Sequence, residues 1–109
     1  MGTYTGEPQA PARWIARKLP RLLRRHGVQA AYVFGSWARR DADAWSDLDL
    51  IVVTTSRRPF VDRFRDFRDI LGAAPLGIDL LVYTPEEFSR HRRTNRFLRH
   101  VLSHARRIT

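Results

Sequence analysis

Cysteine is absent from this sequence of 109 residues. That excludes disulfides, thiolate zinc sites and cysteine nucleophiles, and it fits a reducing compartment. Long apolar runs are missing too. The longest, around Leu50–Val53 and Ile78–Tyr83, fall far short of the roughly 20 residues a membrane-spanning helix needs. Met1–Pro11 is polar, contains proline and glycine, and lacks the apolar segment of a signal peptide. A cytoplasmic location is expected. Lysine is nearly missing, with Lys18 the only one among 20 basic residues, and acidic residues number only 11. The net charge of +9 therefore rests on arginine, whose planar fork suits phosphate and carboxylate partners. Such a surface attracts a nucleotide, RNA or an acidic protein. Most individual arginines nonetheless read as coating on solvent-facing helices.

What is present suffices for one domain. Hydrophobic residues make up 43%, enough for a single core between two layers but not for a separate substrate-binding domain. Residues 1–10 read as a disordered leader. From Pro11 to His26, the spacing of Trp14, Ile15, Leu19, Leu22 and Leu23 predicts a helix stopped by Gly27. Pro20 inside it predicts a kink or two short helices. Ala30–Phe34 is an apolar run consistent with a buried strand, and Leu48–Thr54 (LDLIVVT) is the clearest strand. After Pro59, a helix is expected with Phe60, Phe64, Phe67 and Leu71 on one core-facing stripe. A loop over 72–77 leads to the strand Ile78–Tyr83 (IDLLVY).

Thr84-Pro85-Glu86-Glu87 carries a capping threonine, a proline at the first helical position and a glutamate at the third. Asn95 is placed to cap a last helix facing the core with Phe97, Leu98, Val101 and Leu102. Ala105–Thr109 reads as either a short edge strand or a frayed end. The order predicts an α/β (α+β) fold with a small mixed sheet of three to four strands and helices packed on one face.

The chemistry sits between the strands. Gly35-Ser36 closes the first one, where glycine permits close backbone approach to a phosphate and serine adds a hydroxyl donor. Ten residues later comes Asp47-Leu48-Asp49. Residues i and i+2 of a strand share a face about 6–7 Å apart. Two carboxylates so placed can share a pair of Mg²⁺ ions roughly 4 Å apart, the arrangement used for in-line phosphoryl displacement. Charge at the start of an apolar strand is costly unless matched, and Asp79 repeats the oddity on the third strand. If the strands are neighbours, three like charges converge and call for a cation.

The segment from Gly35 to Leu50, GSWARRDADAWSDLDL, resembles the Gly-Ser, ten residues, Asp-X-Asp signature of the DNA polymerase β-like nucleotidyltransferase superfamily. The Gly-Ser-X-Ala-Arg turn and the Ser-Asp-X-Asp-Leu strand look most like its minimal nucleotidyltransferase (MNT) branch. The resemblance runs from about Leu22 to Leu102. It implies a nucleotidyltransferase fold over residues 11–109, an NTP donor and two Mg²⁺ held by Asp47, Asp49 and Asp79. It further implies that Gly35 and Ser36 hold the β- and γ-phosphates, that Asp79 works near the acceptor oxygen, and that Arg39 contacts phosphate. The sequence departs from the family at Arg40, where glycine is usual. Many MNT proteins are antitoxins that AMPylate a tyrosine of a HEPN-domain RNase toxin, which implies ATP as donor and a hetero-oligomer with such a partner. Neutralisation by binding alone, and transfer to a small molecule or an RNA end, are the alternative readings.

Among the remaining polar and aromatic residues, His100 and His104 form an i, i+4 pair. Neither they nor His26 and His91 show the third ligand a metal site needs. Trp37 and Trp45 bracket the turn, either to stack on a base or to cap the core. Tyr32 and Tyr83 read as strand residues.

Overall fold

The structure is a computed structural model that describes residues 9–43 and 45–109. Of the expected leader, residues 1–8 lie outside the described residues, and helix begins at Gln9.

Helix α1 (Gln9–Arg13) continues through a π-helical segment, Trp14–Lys18, into α2 (Leu19–Arg25). The widened turn closes with the Leu19 N–H donating to the Trp14 carbonyl, one residue before Pro20. Proline cannot donate to the carbonyl of Ala16, and in regular α-geometry its ring would press on that carbonyl. One extra residue in the turn relieves both problems, so neither a break nor a second start is needed.

Strand β1 (Ala30–Phe34) leads to the single turn α3 (Ser36–Arg39) and then to β2 (Leu48–Val53). A long 3₁₀ segment, Phe60–Phe67, runs into α4 (Arg68–Ala73), followed by β3 (Ile78–Tyr83). Helices α5 (Pro85–Thr94) and α6 (Arg96–Leu102) and the short β4 (Arg106–Arg107) complete the chain. Both predicted caps form. Thr84 and Glu87 make a reciprocal capping box, and the Asn95 side chain accepts from the Leu98 N–H at 3.0 Å. The tail takes the edge-strand alternative, pairing with Tyr32 and Val33 of β1.

The sheet order is β3-β2-β1-β4. Strand β2 lies antiparallel to β1 and parallel to β3, so the sheet is mixed and four-stranded, as expected. The helices, expected on one face, cover both. Leu48, Leu50 and Val52 join Ala31, Val33 and Val82 under Trp14, Leu19, Leu23, Phe67 and Ile70. Ile51 and Val53 join Ala30 under Phe88, Leu98 and Val101, with Tyr32, Phe34, Leu81 and Tyr83 alongside. The unbroken LIVV run of β2 is the pattern of a strand buried on both faces. Each such side chain contributes about 1.5–3 kcal/mol when fully buried, enough for one strand to tolerate carboxylates at its start.

A second correction concerns the phenylalanine stripe. A 3₁₀ segment has three residues per turn, so positions i and i+4 no longer share a face. Phe67 and Ile70 reach the core, while Phe60 and Phe64 remain 42% and 41% exposed. Arg63 goes inward instead, 6% exposed. Its guanidinium forks onto the Glu87 carboxylate (Nη2–Oε2 3.1 Å) and donates to the Val82 carbonyl at 3.1 Å. Phe97 is likewise half exposed, its ring edge-on to Phe34.

Candidate active site

The alternation of β2 and its two neighbours brings the acidic residues together. Asp49 pairs in register with Phe34 of β1 on one side and with Asp79 of β3 on the other. Directly paired residues project to the same face, and for Asp49 and Asp79 this is the face covered by α5 and α6. Asp47 lies one residue before β2 begins and is exposed. Burial, the facing Asp79 carboxylate with its hydrogen bond to Asp49, and Asp47 all push the Asp49 carboxyl above its ordinary value. Arg39 pulls it the other way. Asp49 therefore senses both of the other carboxylates.

Two glycines hold the backbone close to these acids. Gly35 has φ 72° and ψ −149°, a conformation open almost only to glycine. A Cβ there would collide with the Asp49 carboxylate. At Gly77, a Cβ would sit 2.5 Å from Oδ1 of Asp47, and the Gly77 carbonyl accepts from the Leu48 N–H at 2.8 Å. Gly77 was not singled out from the sequence. Its only cue is that it directly precedes Ile78-Asp79.

The Gly35 carbonyl accepts from the N–H groups of Ala38 (3.1 Å) and Arg39 (3.0 Å), which winds α3. The turn ends at Arg40 with φ 63°, the one non-glycine residue with positive φ among the described residues. That left-handed position is one glycine fills without strain. Arg39 points to Asp41, with Nε to Oδ2 at 3.3 Å in an exposed ion pair, yet its charge reaches Asp49.

The tryptophans separate. Trp37 packs against the core and donates from Nε1 to the Ser46 carbonyl at 3.2 Å, tethering the connection ahead of Asp47. Trp45 is 79% exposed and stands at a cavity of about 500 Å³ shared with Ser46, Asp47, Leu76 and Gly77. Another cavity, of about 470 Å³, lies among Ile15, Val33, Trp37, Arg40 and Arg106 and contains none of the three acids.

The histidines do not form a metal cluster among the described residues. His26 contacts Asp69 (Nε2–Oδ2 2.9 Å) and, by that hydrogen bond, lowers the Asp69 carboxyl. His104 accepts at Nε2 from the Gly35 N–H at 3.2 Å. No sequence cue pointed to that contact, because the two residues lie far apart along the chain.

A hard, oxygen-only donor set suits Mg²⁺, which usually takes one or two carboxylates and completes its shell with water and substrate phosphates. As positioned, no three acidic or imidazole groups among the described residues enclose a single ion. The arrangement is a facing pair, Asp49 and Asp79, with Asp47 to one side.

The chain that carries this mixed sheet, the Gly35-Ser36 bend and the neighbouring acids is a nucleotidyltransferase. The sequence matches the family described as Polymerase beta, Nucleotidyltransferase over residues 17–87. It is 33% identical over 72 residues to the protein adenylyltransferase MJ0435 of Methanocaldococcus jannaschii, covering 63% of this chain and 74% of that protein. The fold is similar to that of a toxin–antitoxin complex with AMP-PNP (TM-score 0.61, 19% identity, 86% of this chain and 72% of that one). It is also similar to a nucleotidyltransferase from Sulfolobus solfataricus (TM-score 0.57, 21% identity, 83% and 84%). A third similar structure is the complex of tri-AMPylated Shewanella oneidensis HEPN toxin with MNT antitoxin (TM-score 0.56, 18% identity, 90% and 71%). The chain belongs to the polymerase β-type nucleotidyltransferase family, which bears out the resemblance carried by its Gly-Ser and Asp-X-Asp motifs. No helix among the described residues is long and apolar enough to cross a membrane.

Proposed function

We propose that this chain is an MNT-type antitoxin that transfers AMP from ATP to a tyrosine hydroxyl of a HEPN-domain toxin, releasing pyrophosphate, in a hetero-oligomer with it. The reading rests on the in-register Asp49–Asp79 pair beside Asp47 and the Gly35 bend. It is supported by the adenylyltransferase name of the archaeal relative and by the toxin–antitoxin assemblies that share the fold. Asp47, Asp49 and Asp79 would hold Mg²⁺. When bound, Mg²⁺ neutralises the triphosphate and stabilises the attacking and leaving oxygens of an in-line displacement.

The chain's own residues supply the positioning. Gly35 lets the backbone close on Asp49, so that Ser36 presents its hydroxyl and N–H to the β- and γ-phosphates. Arg39, exposed beside Asp41 and close enough to act on Asp49, would take a phosphate oxygen, a partner arginine's fork suits. Asp79, on the edge strand and exposed, is open to an incoming acceptor hydroxyl, which it orients and helps deprotonate.

The test is transfer of labelled AMP from ATP to the purified partner toxin. Asp47→Asn and Asp49→Asn should each lower the rate by several orders of magnitude with the fold retained. Undiminished transfer by Asp47→Asn would overturn the mechanism. Full protection of cells by Asp49→Asn would leave an antitoxin that acts by binding alone.

A further inference from the structure

We infer that His104 is a positioning residue for the nucleotide site, resting on the function proposed above. The imidazole is held between two anchored elements. It follows α6, with its own N–H donating to the Val101 carbonyl at 3.2 Å, and it precedes β4, where Arg106 pairs with Val33 of β1. From there Nε2 accepts from the Gly35 N–H at 3.2 Å. To accept at Nε2, the neutral ring carries its proton on Nδ1. His104 lies beyond residues 17–87, which match the family, so the contact is supplied from outside the shared motif.

This contact does more than satisfy a donor. Gly35 is held at both ends of its residue: its carbonyl winds α3 through Ala38 and Arg39, and its N–H is held by His104. With φ at 72° and ψ at −149°, the residue occupies a backbone well that most residues avoid, and it presses its Cα side against the Asp49 carboxylate. Rotation of the peptide before Gly35 would move Ser36 relative to Asp49, and with it the phosphate contact relative to the metal carboxylates. The His104 hydrogen bond opposes that rotation. Because the Gly35 N–H is engaged, phosphate contact at the bend falls to Ser36, and the part of Gly35 is close approach.

The experiment compares wild-type chain, His104→Ala and His104→Gln in binding Mg·AMP-PNP by calorimetry and in steady-state AMP transfer. His104→Ala is expected to weaken Mg·AMP-PNP binding and raise KM for ATP about tenfold, with kcat changed less than threefold. That split marks loss of interaction shared by ground and transition states. His104→Gln, which offers an amide oxygen to the same N–H, should recover most of the loss. Equal nucleotide affinity in wild type and His104→Ala overturns the inference alone. So does a His104→Gln variant as impaired as His104→Ala while its Tm matches wild type. A wild-type chain that binds no Mg·AMP-PNP overturns the nucleotidyl-transfer reading and the inference with it.

Discussion

Asp49 and Asp79 stand directly opposite each other across the parallel β2–β3 pair. Two carboxylates facing each other at the start of adjacent strands repel, and burial adds to the cost of ionising Asp49. The arrangement costs stability that the fold supplies elsewhere.

Removal of that repulsion should therefore stabilise the metal-free protein. Burial and the facing Asp79 hold the folded-state carboxyl of Asp49 above the ordinary carboxylate range, so the native state binds more protons than the unfolded one just above that range. On this group's account, stability falls as pH rises through the window. Asp49→Asn is expected to raise Tm by a few degrees at pH 7 in EDTA, with the difference closing near pH 4. Excess Mg²⁺ should raise Tm of the wild type and not of the variant, by mass action on the folded state. Melting curves at the two pH values, with and without Mg²⁺, check both points.

Glu87 behaves in the opposite sense. The Arg63 guanidinium, with help from the Thr84 N–H, holds its carboxyl down to about 2. A depressed carboxyl contributes stability that is present above its ordinary value and is lost as pH falls toward 2. Glu87→Gln leaves Arg63 buried without its counter-charge and should cost about 2–4 kcal/mol at neutral pH. In denaturant titrations, the gap to wild type should shrink steadily below pH 4.5.

Gly35→Ala should abolish transfer. The new methyl meets the Asp49 carboxylate, and the residue must also keep a positive φ. Gly77→Ala lacks the backbone penalty but crowds Asp47 at 2.5 Å. It should weaken metal affinity about tenfold or more while leaving the fold intact. Mn²⁺ titration alongside the transfer assay separates the two effects.

Arg40→Gly should stabilise the protein by about 1 kcal/mol, because the left-handed conformation at φ 63° costs a side-chain-bearing residue about that much. Chemical denaturation measures it. A loss of stability would mean that the Arg40 side chain contributes more than its backbone costs.

The strands, both helix caps and the candidate site residues Gly35, Asp47, Asp49 and Asp79 could be picked out of the sequence because each is a local signal. A β-branched run, a capping box and an i, i+2 pair of acids state their meaning within a few residues. The widened turn before Pro20 was signalled as an interruption but not as a π-helical one, since the chain can answer a missing N–H in several ways. The 3₁₀ segment was misread as an α-helical stripe because Phe60, Phe64 and Phe67 fit a 3.6-residue period. Burial of Arg63 against Glu87 accompanies the shorter one, and no local pattern announces that pair.

By itself, then, the sequence determined which residues could do the chemistry and that they lie in or next to the strands, since side-chain alternation and turn preference act over two to four positions. Only the tertiary structure decided that β2 lies between β1 and β3, so that Asp49 meets Asp79. It alone put helices on both faces, and it alone brought His104 from the far end of the chain to the N–H of Gly35. Those are contacts between distant segments, chosen by the packing of the whole core.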